Sequence, residues 1–255
     1  MRDLDGFLAA ASIDPGVFAL RPDYRVMLIA VDGIAPGPVD EGSEALLVAA
    51  EEHARQLMQA TPVEQLPHIA AWREAYRAFG AKPQRTRNSV EALTRRARGG
   101  LPRVNRLADI YNAVSVLHQL PLGGEDLDRY DGLPRLARAT GDEPFDTAVA
   151  GTEVVEHPDP GEVVWCDAAG VTCRRWNWRQ GRRTQLRDDS RAALFILDAL
   201  DPMTDDAVAA AADDLVAHVQ HLGSAVRFAS RRIGLRGSTA RSADPADRSV
   251  ETAGS

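Results

Sequence analysis

Between Asn105 and Leu127 the chain reads NRLADIYNAVSVLHQLPLGGEDL, and this stretch constrains the fold more than any other. Leu107, Ile110, Val114 and Leu117 recur at helical spacing and form one apolar stripe. Asp109 and Asn112 lie three residues apart beside that stripe, so they share a neighbouring face. Pro121 lacks an amide donor and stops the helix, and Gly123 and Gly124 then predict a turn where bare backbone admits another group. The acidic run Glu125-Asp126-Leu127-Asp128 follows at once. A helix face bearing an amide and a carboxylate, next to a glycine turn, can build a small polar pocket. An ordinary helix end with its turn fits the same residues equally well.

Composition narrows the classes. A chain of 255 residues can bury a sizeable core. Its net charge of -7 argues against nucleic-acid binding by overall attraction, so any such binding needs a local basic patch. No apolar run approaches the roughly 18 residues that a membrane span needs. The opening MRDLDGFLAAASIDPG lacks a signal-peptide core. Cys166 and Cys173 form no CxxC pair and fall out of register if Asp167 to Gly170 is a hairpin turn. Reduced, packed thiols in a cytoplasmic protein are therefore expected.

Local signals place the elements. The first 20 residues predict a short helix and a Pro-Gly turn, and YRVMLIAVDGI, Tyr24 to Ile34, a buried strand. Helices are predicted over Ser43 to Gln59, over about His68 to Phe79 with its stop at Gly80, and over SVEALTRRARGG, capped by Asn88 or Ser89. From Leu133 onward LPRLARA, EVVWCDA, VTCRRWNW and AALFILDAL read as four strands, the middle two forming a hairpin about Ala168-Ala169-Gly170. A long helix is expected from a Thr204 cap to about Arg231. Residues 238–255 lack periodicity and read as a disordered polar tail after one domain over 1–237. Early helices and later strands indicate α+β rather than alternating α/β.

Charge is unevenly spread. Lys82, Arg85, Arg87, Arg95, Arg96, Arg98, Arg103 and Arg106 stand against the single acid Glu91. A second basic segment sets Arg174, Arg175, Arg179, Arg182, Arg183 and Arg187 around Trp176 and Trp178. Arginine interleaved with aromatics suits phosphates and stacked bases; pairing with carboxylates inside an acidic protein is the competing reading. His218 and His221 lie one turn apart without a third ligand, which does not make a zinc site. No Gly-x-Ser-x-Gly elbow, Walker loop or GxGxxG occurs, so neither a metal nor a cofactor is expected.

NRLADIYNAVSVLHQLPLGGEDLD followed by GLPRLARATGDE resembles the signature region of the B3/B4 domain of the bacterial phenylalanyl-tRNA synthetase beta subunit. WREAYRAFGAKP, SVEALTRR, DIYNAVS, the Gly-Glu of PGEVVWCD and CRRWNWRQ extend the likeness to free-standing members of that domain family. It spans roughly Asp14 to Asp201, about three quarters of the chain. The resemblance implies a B3/B4-like α+β fold with mixed or antiparallel sheets flanked by helices. It also implies a trans-acting aminoacyl-tRNA deacylase, with a non-catalytic module for tRNA or an amino-acid-like ligand as the alternative. An apolar synthetic pocket rejects an isostere with an added hydroxyl only weakly, which is the physical need for such editing.

Carried over residue by residue, Asn112 matches the family's pocket asparagine, and Glu143 matches a family Gly-Glu, which implies a structural partner for an arginine. Gly123 stands where the synthetase has histidine, Arg174-Arg175-Trp176-Asn177-Trp178-Arg179 replaces its small backbone loop, and apolar Ile196 falls near its tyrosine-reading glutamate. The implied pocket is thus built differently, around Asn112, Gly123, Gly124 and Glu125, with Asp109, Asp126, Arg174, Arg175 and Asn177 contributing. Lys82, Arg85, Arg87, Arg95, Arg96 and Arg98 would meet the phosphates of a tRNA partner, and the protein would act as a monomer.

Overall fold

The computed structural model describes residues 2–235 and 239–243. Two short helices open the chain, α1 (Leu4–Ala9) and α2 (Pro15–Leu20), with the two-residue strand β1 (Ser12–Ile13) between them. Pro15 therefore begins a helix instead of making the expected Pro-Gly turn; its missing amide is harmless in the first turn. Then come β2 (Arg25–Asp32), α3 (Glu41–Ala60), α4 (Pro67–Ala78), α5 (Ser89–Arg96) and α6 (Arg106–His118). Asp40 closes a capping box with Ser43 on α3, and Asn88 and Asn105 cap α5 and α6 through their side chains.

Strands follow: β3 (Leu122–Asp126), β4 (Arg135–Arg138), β5 (Phe145–Val149), β6 (Thr152–Glu156), β7 (Val163–Asp167), β8 (Gly170–Arg174), β9 (Arg179–Gln180) and β10 (Ala192–Ala199). The chain then forms α7 (Asp205–Gln220), β11 (Arg227–Gly234) and β12 (Thr239–Ala243). The α+β expectation holds, with two mainly antiparallel sheets, ordered β1-β4-β7-β8-β9 and β12-β11-β2-β10-β3. Among the described residues only β1 and β4 pair in parallel, and β5 and β6 form a separate hairpin.

β10 explains the second sheet. Its eight residues pair with β2 from Ala192↔Asp32 to Ala199↔Arg25, and all eight are buried. Leu194 and Ile196 face a core with Tyr24, Trp72, Trp165 and Trp176, whereas Ala193, Phe195 and Leu197 face another with Leu107, Ile110, Val114 and Leu215. A sheet covered on both faces reads as one unbroken apolar run. α6 is buried on two sides as well, since Ala113 and Val116 pack against Leu47 and Ala50 of α3.

Three expectations are corrected. Gly123 and Gly124 are not a turn; they lie in β3, paired with Ile196 and Phe195 of β10. The reversal occurs earlier, where Gln119 takes a left-handed φ of 54° and ends α6. The last helix ends at Gln220 rather than near Arg231, and its expected final turns form β11, which completes the pairing of β2. Within the supposed tail, Thr239–Ala243 pairs with β11; residues 244–255 lie outside the described residues.

His68 locks the corner of the sheet. Its Nδ1 donates to the Gln119 carbonyl at 3.0 Å, while Nε2 accepts from Trp72 Nε1 and the Leu200 amide, each at 3.1 Å. Burial pushes its pKa down to about 4, which keeps the ring neutral and suited to both roles. α4, the end of α6 and the end of β10 thus meet at one side chain.

Candidate functional site

α5, α6, β3, β10 and the loop after β8 enclose a cavity of about 260 Å³. Its walls carry Leu93, Tyr111, Trp165, Trp176 and Trp178, and its polar groups include Asn112, Glu125, Asn177, Gln180 and Asp198. Strand alternation sets the floor. Gly123 and Glu125 of β3 face the cavity beside Ile196 and Asp198 of β10, while Gly124 and Asp126 point the other way. A Cβ on Gly123 would meet nothing within 4 Å, whereas one on Gly124 would come within 2.7 Å of Leu186 and 2.8 Å of the Tyr111 ring. Gly123 is therefore bare floor, and Gly124 is small because a helix packs on it.

The loop after β8 supplies the roof. Arg175 and Trp176 take left-handed φ values of 47° and 68°, which reverse the chain within two residues. That geometry buries Trp176 among Tyr24, Trp72 and Phe79 and turns Asn177 inward. Asn177 accepts from the Tyr76 hydroxyl at 2.9 Å and donates to Asp198 at 3.2 Å, so its amide orientation is fixed. Three arginines, Arg174, Arg175 and Arg179, lie over the Trp178 ring, Arg175 at 4.6 Å.

Two carboxylates on the floor are electrostatically unusual. Burial raises Glu125 to about 7 against the opposing hydrogen bond from Tyr130. Burial likewise raises Asp198 to about 7, opposed by Tyr24, which donates at 2.6 Å, and by Asn177. Cys173 also lines the cavity, but burial holds its thiol well above the ordinary cysteine range, so it is no thiolate nucleophile. Ser89 lines the cavity too, but its hydroxyl has no hydrogen-bond partner among the described residues, so no base is held against it.

The cavity thus gathers Asn112, Gly123, Glu125 and Asn177 from the expected residues. It does not gather the others. Asp109 is buried elsewhere, where it accepts from the Val104 amide at 2.8 Å. Asp126 accepts from the Ser190 hydroxyl at 2.7 Å and holds the turn at Asp128. Arg174 is a structural cation: its guanidinium grips Glu162 with bonds of 2.9 and 2.8 Å and reaches Glu156 at 3.0 Å. Arg175 donates to Thr86 at 2.6 Å and lines a separate surface cavity with Lys82 and Arg85. Glu143 meets no arginine; it accepts from the Thr140 and Gly141 amides in a turn.

The basic segment divides in two. Arg95 pairs with Glu64 at 2.5 Å and Glu91 at 3.1 Å, and Arg87 lies 3.7 Å from Glu91. Arg103 is held by Glu44 and Glu51, and Arg106 by Asp40. Lys82, Arg85, Arg96 and Arg98 are exposed and make no ion pair among the described residues. His218 pairs with Asp214 at 3.4 Å, and the described residues contain no cluster of metal-ligating side chains. No helix among them is long and apolar enough to cross a membrane.

Asp198, Tyr111, Trp165 and Gln180 were not anticipated. Asp198 carried one signal, as the only charge within the strand AALFILDAL; a carboxylate inside a buried strand demands a reason. The rest come from separate elements and left no local mark.

No curated protein matches the chain. Among solved structures it is similar to an N-terminal fragment of the phenylalanyl-tRNA synthetase beta subunit from Pyrococcus horikoshii, at 13% identity and a TM-score of 0.47. That similarity covers 90% of this chain and 53% of the other, so the chain spans about half the fragment's length, and so distant a likeness carries no argument. The family model for the B3/4 domain matches residues 71–223, which contain α5, α6, β3, β10 and the loop after β8, the elements that enclose the cavity. The chain belongs to the B3/4 domain family.

Proposed function

We propose that the cavity receives the aminoacyl end of a charged tRNA and hydrolyses its ester in trans. The observation that carries this reading is the cavity itself, within the B3/4 match, with apolar walls, the amide of Asn112, the fixed amide of Asn177 and a bare glycine floor. The resemblance of the motifs around Asn112 to the synthetase editing domain supports it. The walls would take an amino-acid side chain. Asn112 would hold the ester, and the floor at Gly123 lets the ligand lie against backbone. With no nucleophile hydrogen-bonded to a base among the lining residues, the economical route is attack by water, assisted by the ribose hydroxyl of the substrate. The exposed cations Lys82, Arg85, Arg96 and Arg98 would meet phosphates outside.

The test is deacylation of a panel of correctly and wrongly charged tRNAs by the purified protein, with spontaneous hydrolysis as the blank. Selective release of one amino acid is expected, abolished in Asn112→Ala. Absence of release from every tRNA would sink the reading. The absence of a nucleophile–base pair favours a second one in that event, a module that binds tRNA or an amino-acid-like ligand without reaction.

A further inference from the structure

The buried carboxylates form two groups. Glu51 meets Arg103 and Arg55, Glu91 meets Arg73 and Arg95, Glu162 meets Arg174 and Arg175, and Asp126 meets Arg129. Glu125, Asp198 and Asp109 are as deeply buried, yet among the described residues no arginine or lysine lies within ion-pair distance of them. Of these three, only Glu125 and Asp198 face the cavity. Taking a carboxylate out of water without a countercharge is costly, and a protein of this composition has ample arginine to avoid it. The one arginine on the cavity wall does not help. Arg179 turns to the Ala148 carbonyl at 2.8 Å and lies 3.7 Å from Glu156.

The two floor carboxylates differ in what they can still accept. Both oxygens of Asp198 already take a hydrogen bond, from Tyr24 and from Asn177. Glu125 receives Tyr130 at one oxygen and is approached by the Thr172 hydroxyl, which makes no other hydrogen bond, so its carboxylate still has room to accept a donor. The rings of Tyr111 and Trp165 line the same cavity, and aromatic faces attract cations. The Trp165 indole N–H is buried and without a partner, a donor suited to a carbonyl on the same ligand.

We infer that Glu125 is the seat of a ligand ammonium, so that the cavity takes molecules or ester termini carrying a free protonated amine. This rests on the proposed aminoacyl ligand and names the part of it that the cavity reads. The register gives the direction. Glu125 stands opposite Leu194 and Gly123 opposite Ile196, so with the amine at Glu125 the rest of the ligand extends over Gly123 and Ile196 toward Asp198. Glu125 and Asp198 stand about 13 Å apart along the strands, at four residues' separation, so one amine does not reach both. Because Glu125 holds its proton to about pH 7, an arriving ammonium drives that proton off.

The experiment is calorimetric titration of the full chain near pH 7, in two buffers of different ionisation enthalpy, with three matched probes. Norleucinamide carries an α-ammonium, Nα-acetyl-lysinamide a side-chain ammonium, and N-acetyl-norleucinamide neither. At least tenfold tighter binding of one ammonium probe over the neutral one is expected, with proton release, and whichever ammonium wins identifies its source. Glu125→Gln should erase both the preference and the release. Tyr130→Phe, which leaves the charge in place, should retain them and guards against a folding artefact in the first variant. Equal affinity for all three probes, or no binding by any at millimolar concentration, would overturn the inference. The titration contains no tRNA, so amine-selective binding without deacylation would sink the hydrolase alone, and deacylation without amine selectivity would sink the ammonium seat alone.

Discussion

The hydroxyl of Tyr24 donates a 2.6 Å hydrogen bond to the carboxylate of Asp198, and both side chains are buried. Tyr24 precedes β2 and Asp198 nearly ends β10, 174 residues later, so this bond ties the outer end of the central strand pair to the floor of the cavity. Its strength depends on charge. Asp198 is neutral below about pH 7 and an anion above it, and bonds to anions are roughly twice as strong as neutral ones. Tyr24→Phe should therefore cost about 1 kcal/mol at pH 5 and about 2–3 kcal/mol at pH 9. Urea unfolding at the two pH values checks it; equal losses would contradict the assignment.

Glu125 makes stability fall as pH rises. Its carboxyl titrates at about 7 in the fold, above the ordinary 4.5, so the folded state retains a proton that the unfolded chain has lost between those values. The contribution is fully present below about pH 4.5 and is lost as pH rises through 7, on the order of 1.4 kcal/mol for each pH unit of the interval. Glu125→Gln mimics the protonated form and should flatten that part of the profile. A parent and variant whose unfolding midpoints run parallel from pH 4.5 to 8 would refute this.

Adjacent glycines should behave in opposite ways. Gly124→Ala drives a methyl into Leu186 and Tyr111 and should cost about 1–3 kcal/mol of stability. Gly123→Ala meets open space, so stability should stay within about 0.5 kcal/mol while ligand binding in the cavity falls. Thermal unfolding paired with norleucinamide titration separates the two.

Arg174 should prove structural. Arg174→Ala strands Glu162, which is 2% exposed, without its bidentate partner, at a cost of about 3–5 kcal/mol. Arg174→Lys should recover only part of that, since an ammonium cannot supply the paired N–H groups. Denaturant midpoints decide it, and a neutral Arg174→Ala would return this residue to the list of ligand contacts.

Only unpaired cations should set the salt dependence of tRNA binding. Replacing Lys82, Arg85, Arg96 and Arg98 together by alanine should lower the slope of log affinity against log salt by as much as roughly one unit per phosphate contact removed. Arg95→Ala should leave the slope alone and instead loosen the link between Glu64 and Glu91. Filter binding across a salt series measures both.

By itself the sequence determined the elements that local chemistry dictates. A cap at Asn88 or its neighbour, the cap at Thr204, the starts of the helices they open, the β7–β8 hairpin and the strand β10 were legible, because capping residues, turn residues and periodicity act within a few positions. The resemblance around Asn112 likewise located the segment that lines the cavity. Tertiary structure alone decided the rest. Gly123-Gly124 looks like a turn until β10 offers a partner for it, and residues after Gln220 look helical until β2 offers an open edge. Whether an arginine serves a ligand or a carboxylate depends on acids far away in sequence, as with Arg174 and Glu162 or Arg103 and Glu44. The Glu125–Asp198 floor exists only through strand register, a long-range pairing of hydrogen bonds that no local pattern encodes.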